Sequence, residues 1–324
     1  MSGFFAPLLL LLRTQEPTLQ ETADQILADS RVPYGAIVVV RVPDARVLAM
    51  AARSHAEPEL GPEELALAPW APAASIFKLV TAAALLDGRN YSPELRTCFH
   101  GGMHAIDRGN LIDTHADRAC ETLGYAIAHS QNAIIAKLAH RLLTPALLAR
   151  YAEAFGFGDE LHVKNTPVAP SVARIPGEPL AFARTAAGFW NVSLSPMHAA
   201  LLANAIAAGG WFHVPDDATP PHRVMSLEAA HTLAQMMVRT TREGTARGAF
   251  HPRLPFEVAG KTGTLTREQP YLAYSWFVGF APAERPQIAF AVLVGNGEDW
   301  RWKAAPLARR LLEAWGRSFL LATR

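Results

Sequence analysis

Three short groups of side chains in this 324-residue chain could do chemistry together: Ser75-Ile76-Phe77-Lys78, Ser130-Gln131-Asn132 and Lys261-Thr262-Gly263-Thr264. A serine hydroxyl is a poor nucleophile until a base takes its proton, and an amine is a base only when neutral. Lys78 follows Ser75 by three residues, one helical turn on along the same face. Burial would lower its pKa, so it is the expected base for a serine without a histidine partner. Ser130 and Asn132 offer a hydroxyl that can shuttle a proton and an amide that can hold a substrate's amide group, provided a loop or extended turn points both the same way. Capping of the helix that follows is the competing use of these two residues. In the third group Lys261 supplies field for a carboxylate, and the hydroxyls of Thr262 and Thr264 can hydrogen-bond it. Gly263 weakens a strand interior, which points to something approaching the backbone closely; an extended substrate running beside the strand fits. The N–H groups of Ser75 and Thr264 are the candidates for an oxyanion hole.

The groups differ in how much they say. With five lysines in the chain, chance supplies roughly 0.2 Ser-x-x-Lys and roughly 0.3 Ser-x-Asn matches, but Lys-Thr-Gly-Thr only about once in a thousand such chains. All three in this order are a far stronger signal than any one of them.

The elements that must position these residues sort into two sets. Residues 35–42 and 46–52 are apolar, β-branched runs separated by Pro43-Asp44, a hairpin pattern. Residues 256–264, 274–281 and 287–295 read as three more strands with short links, hence antiparallel neighbours, and residues 303–316 carry Leu307, Leu311, Leu312 and Trp315 at helical spacing. The stretch between is mostly helical. Residues 75–86 place Ile76, Leu79, Val80 and Ala83 on one stripe, with Ser75 at the helix N-terminus, where free N–H groups and the positive dipole end favour a developing anion. Residues 124–143 and 195–208, the latter opening Ser-Pro, are further helical segments. The economical arrangement is an α/β fold in which one mainly antiparallel central sheet is built from both chain ends, with flanking helices and an inserted all-helical lobe. The whole chain, 1–324, is expected to be a single domain, its sheet lobe spanning about 8–70 and 245–324 and its helical lobe about 71–244.

Composition narrows the class. Charged residues make up 18% and the formal net charge is +1, with the arginines spread rather than clustered, so no nucleic-acid partner is expected. Residues 4–12 are apolar but too short to span a bilayer; no basic residue precedes them, Pro7 interrupts them, and no small-residue cleavage site follows. They read as a buried first strand, the alternative being a degraded export signal or anchor. Cys98 and Cys120 have His100, His104, Asp107, Asp113 and His115 nearby, yet match no CxxC-type spacing. A disulfide, two unlinked thiols and a zinc site all remain open for them.

These motifs resemble those of the penicillin-binding proteins, the D,D-acyltransferases that share a fold with the serine β-lactamases. The resemblance extends to Thr14–Gln20 and the 35–50 hairpin, to Phe155-Gly156-Phe157-Gly158, to Leu194-Ser195-Pro196-Met197-His198-Ala199-Ala200 and to Glu243-Gly244-Thr245-Ala246. It runs from about residue 11 to near the C-terminus and is to a bare transpeptidase domain, with no glycosyltransferase or pedestal domain expected ahead of it. It implies Ser75 as acylated nucleophile, Lys78 as base, Ser130 as proton relay and Asn132 as substrate-amide anchor. Lys261, Thr262, Gly263 and Thr264 would then form the carboxylate clamp. It implies a donor peptide of peptidoglycan ending in D-Ala-D-Ala, acylation of the same serine by β-lactams, and neither a metal nor an organic cofactor. A periplasmic or cell-envelope location and other cell-wall synthesis proteins as possible partners go with it. Two departures stand out: Ala73-Ala74 occupy the place of a common Pro-Gly, and Gln131 fills a position usually small or cysteine.

A D,D-transpeptidase is the first reading. A D,D-carboxypeptidase or β-lactamase would differ only in admitting water to the acyl-enzyme, and no Glu-x-x-Leu-Asn element follows Ser130 to favour a class A β-lactamase. A non-catalytic β-lactam sensor is the third reading, and would ordinarily carry a transmembrane span.

Overall fold

The computed structural model describes residues 17–163, 166–215 and 219–322. In chain order, helix α1 (Leu19–Ser30) is followed by strands β1 (Tyr34–Arg41) and β2 (Val47–Ser54), then by helix α2 (Lys78–Leu86). A small hairpin, β3 (Arg96–Phe99) with β4 (Ala119–Thr122), precedes the helices α3 (Leu123–Ala128), α4 (Asn132–Leu142), α5 (Pro145–Ala154), α6 (Pro179–Ala186), α7 (Pro196–Ala207) and α8 (Leu227–Arg242). The chain then returns as β5 (Ala259–Glu268), β6 (Tyr271–Ala281) and β7 (Ile288–Asn296) and ends in α9 (Ala304–Ala322).

Strands from both ends form one antiparallel sheet in the order β5-β6-β7-β1-β2. Every residue of β7 is buried, and β1 is buried over six consecutive positions, because both lie in the middle of a sheet covered on both faces. One face packs with the helical elements around Phe77, Leu79, Ile135, Leu201 and Trp276. The other packs with α1 and α9 around Ile37, Phe277, Phe290, Leu307 and Leu311. Fully burying a side chain of this size stabilises by roughly 1.5–3 kcal/mol relative to leaving it exposed.

The expected sheet and its antiparallel order are present, with shifted edges. The strand expected at 256–264 is β5, which starts at Ala259 and continues to Glu268, and the helix expected at 303–316 runs on to Ala322. Residues 71–244 are not purely helical. Besides the β3–β4 hairpin they hold a three-stranded ladder joining Ala71–Pro72, Val192–Leu194 and Val172–Ala173, and two further short antiparallel pairs. The helical run read over 124–143 is two helices broken at His129–Gln131, where Ser130 adopts φ 55. Ser195 is the cap of α7 rather than its first residue, accepting from the His198 N–H at 3.1 Å. Cys98 and Cys120, opposite each other in the hairpin, are joined by a disulfide, so they are neither free thiols nor metal ligands. The first-strand reading of residues 4–12, and residues 14–16 of the Thr14–Gln20 segment, lie outside the described residues. No helix among the described residues is long and apolar enough to cross a membrane.

Candidate active site

The turn that carries the serine departs from a regular helix. Residues Ala74–Phe77 form a 3₁₀ turn leading into α2, and Ala74 has φ 48, a left-handed conformation that costs an alanine roughly 1–2 kcal/mol. The position where a Pro-Gly is more usual therefore still demands glycine-like geometry, met here by a strained alanine. Two glycines make room for it. A Cβ on Gly188 would lie 2.3 Å from the Ala74 carbonyl oxygen, and one on Gly263 would lie 3.3 Å from the Ile76 side chain. The serine turn thus approaches β5 closely on the Cβ side of Gly263.

Lys78 is fully buried. Its Nζ lies 2.6 Å from Ser75 Oγ and donates to the Ala187 carbonyl oxygen at 2.6 Å. Neither partner is an anion. Burial, together with the positive charge of Lys261, therefore drives its pKa well below that of an ordinary lysine. A neutral Lys78 can accept the Ser75 proton while its own N–H stays on Ala187.

Lys261 sits on β5, the edge strand of the sheet, and is also fully buried. Its Nζ donates to Ser130 Oγ at 2.9 Å and to the Thr262 carbonyl oxygen at 2.8 Å, and burial lowers its pKa to about 7. The break between α3 and α4 turns Ser130 toward the strand. Asn132 opens α4, where its Nδ2 donates to the Met103 carbonyl oxygen at 2.8 Å. The capping expected of this segment falls to Gln131, whose side chain accepts from the Ala133 N–H.

A cleft of about 610 Å³ gathers these groups: Ser75, Ser130, Asn132, Thr262 and Thr264 all line it. Lys78 and Lys261 lie beneath, reaching it through the two serines they touch. The sequence reading named the residues that converge, including Gly263, which packs against the serine turn. Thr245, whose Oγ1 is 2.5 Å from Thr262 Oγ1, and Met103 line the same cleft with no role expected from sequence, as does His104, which sequence grouped only with the cysteines. Thr245 lies in the Glu243–Ala246 segment, which stood out only as a family-like string. The Met103 and His104 wall comes from a loop with no motif of its own.

The arrangement can form an ester. A nucleophile touches a buried amine, a second hydroxyl touches a second buried amine, and hydroxyls on a sheet edge face both across a cleft. Comparisons with known proteins agree. The model of the penicillin binding protein transpeptidase domain matches residues 35–313. The peptidoglycan D,D-transpeptidase PbpA of Mycobacterium tuberculosis is 29% identical over 272 residues, 75% of this chain and 54% of that protein. Stage V sporulation protein D of Bacillus subtilis is 26% identical over 249 residues, 68% of this chain and 38% of that protein. The chain thus spans about half the length, or less, of these curated relatives. Among solved structures, the apo transpeptidase domain of Burkholderia pseudomallei penicillin-binding protein 3 aligns with a TM-score of 0.76 at 22% identity, covering 94% of this chain and 97% of that one. The imipenem acyl-enzyme of M. tuberculosis penicillin-binding protein A aligns with a TM-score of 0.75 at 24% identity, covering 92% and 78%.

Proposed function

We propose a function from one premise: this chain belongs to the penicillin-binding protein transpeptidase family. It is a serine D,D-transpeptidase that acts on peptidoglycan stem peptides ending in D-Ala-D-Ala and is acylated by β-lactams. The observation that carries this is the 2.6 Å contact between Ser75 Oγ and a fully buried lysine amine whose surroundings disfavour its charge.

The roles follow from the positions. Ser75 Oγ attacks the carbonyl of the penultimate D-Ala while Lys78 takes its proton. The N–H groups of Ser75 and Thr264 receive the developing oxyanion. Ser130, fed by Lys261, hands a proton to the leaving nitrogen as the C–N bond breaks and D-Ala departs. An amine then attacks the Ser75 ester, forming the crosslink and freeing the serine. Asn132 holds the donor's amide, and Lys261 with Thr262 and Thr264 holds its terminal carboxylate. Curated relatives named as peptidoglycan D,D-transpeptidases support this substrate, and a neighbour solved as an imipenem acyl-enzyme supports β-lactam acylation. Peptidoglycan lies outside the cytoplasmic membrane, and the Cys98–Cys120 disulfide suits the oxidising conditions there.

A fluorescent penicillin should label the protein covalently, with the adduct mapping to Ser75 by peptide mass. Labelling that persists in Ser75→Ala would sink the assignment.

A further inference from the structure

Lys137 is a third fully buried lysine, and the chemistry above does not use it. It lies on α4, past Asn132, and its Nζ binds two ends of one loop. It donates to the Cys98 carbonyl oxygen at 2.8 Å, where the segment leaves β3, and to Asp117 Oδ2 at 2.7 Å, where it returns toward β4. Asp113 lies 3.4 Å away and pairs with Arg141. The other oxygen of Asp117 is 2.6 Å from His100 Nδ1, and its Oδ2 also accepts the Thr114 N–H. Burial raises the Asp117 pKa, but the hydrogen bonds from His100, Lys137 and the Thr114 backbone outweigh it and bring the carboxyl down to about 2. The carboxylate is therefore ionised and compensates the buried ammonium.

The first residues of the same loop reach the active site. The Gly101 carbonyl oxygen accepts from Gln131 Nε2 at 3.3 Å, and the Met103 carbonyl oxygen accepts from Asn132 Nδ2 at 2.8 Å. A Cβ on Gly102 would fall 2.5 Å from that of Ala133, so the loop backbone lies directly against the first turn of α4. Lys137 fixes the two ends of the loop, and the residues that follow its first end, Gly101 to Met103, hold the Asn132 amide through the Met103 carbonyl.

We infer that Lys137, acting through Asp117 and the 98–120 loop, is a positioning residue for Asn132 and so sets how well the enzyme reads a substrate amide. The inference rests on the amide-anchor role of Asn132 proposed above. A charge buried this deeply and held by one loop is costly unless fully compensated. An apolar residue would pack the helix without constraining where Met103 sits.

The test compares acylation of Ser75 by penicillin G, which carries an acylamino side chain, with acylation by imipenem, which carries none. Second-order rate constants are measured on the full chain, in Lys137→Met, Asp117→Asn and Asn132→Ala beside the unaltered protein. The expected result is a loss of about tenfold for penicillin G in each variant, the scale of a buried charge-assisted hydrogen bond, with the imipenem constant of Lys137→Met and Asp117→Asn changed less than about twofold. Each constant is read from molecules that react, so the ratio of the two drugs does not depend on the folded fraction. A parallel loss for both drugs in Lys137→Met and Asp117→Asn would make Lys137 merely structural and overturn the inference, as would unchanged constants for both. An Asn132→Ala variant that keeps the full penicillin G constant would remove its premise. Failure of either drug to label Ser75 in the unaltered protein would instead overturn the proposed function.

Discussion

At the scale of single residues, the proposed mechanism depends on two buried amines in different protonation states. Lys78 must be neutral to accept the Ser75 proton, and burial with the nearby Lys261 charge keeps its pKa well below the usual lysine value. Lys261 must be charged to draw in a carboxylate, and burial sets its pKa at about 7. The second-order rate constant for penicillin acylation reports free-enzyme ionisations, so it should fall on the acid side as Lys78 gains its proton and on the alkaline side above about pH 7 as Lys261 loses its own. The two amines interact, so the limbs belong to the pair. A rate that stays level from pH 7 to pH 10 would mean that Lys261 either works uncharged or keeps its proton throughout that range. Lys78→Ala should lower the acylation rate by roughly a hundredfold or more, the loss of a general base, while circular dichroism stays native; unchanged acylation would place the base elsewhere.

At the scale of elements, serine presentation depends on how closely the 74–77 turn is gripped. Gly188 has φ 89, and a Cβ there would meet the Ala74 carbonyl oxygen at 2.3 Å and Ser75 Cα at 3.0 Å. Backbone cannot yield as a side-chain tip can. Gly188→Ala should therefore move the turn, lowering penicillin acylation by roughly a hundredfold and stability by about 2 kcal/mol or more. Gly177→Ala, where an added Cβ meets nothing within 4 Å, should leave acylation unaltered and so serves as the control. Equal behaviour of the two variants in acylation kinetics and thermal melting would show that the grip is unimportant. This dependence also marks what was readable in advance. Periodicity exposed the sheet strands and α2 because their apolar spacing is imposed by burial, and the three polar groups converge as their order suggested. The turn geometry of Ala74, the break at Ser130 and the partner of Gly263 were not readable, since each arises from contact between segments far apart in the chain. Gly188 and Ala74 are 114 positions apart, and neither one's sequence neighbourhood specifies the other. The disulfide was ambiguous for the same reason: it needs Cys98 and Cys120 paired across a hairpin that carries no strong strand pattern.

At the scale of the whole molecule, the nucleophile turn, the α3–α4 break and the edge strand β5 meet at one cleft, while the sheet behind them is sealed by apolar packing on both faces. The groups placed round that cleft bear on how long an acyl-enzyme should last. Hydrolysis needs a base positioned to activate water on the Ser75 ester. Among the described residues, those lining the cleft include no Asp or Glu; on the loop that carries Met103 and His104, Asp107 accepts the Asn110 N–H, and Asp113 and Asp117 are engaged by Arg141, Lys137 and His100. His104 and His129 do line the cleft, but His129 is stacked on Tyr125 with ring centroids 4.2 Å apart. Lys78 is the one base in contact with Ser75 among the described residues, and in the proposed mechanism it has already taken the Ser75 proton when the ester forms. An acyl group that fills the cleft leaves water without a dedicated activator, whereas an incoming amine brings its own nucleophilic nitrogen. The penicilloyl adduct should accordingly persist for hours when followed by intact-protein mass spectrometry after free drug is removed. Adding His104→Ala and His129→Ala should not lengthen it. Decay within seconds would make the chain a β-lactam hydrolase, and a lifetime extended by either histidine variant would identify that imidazole as the base for water.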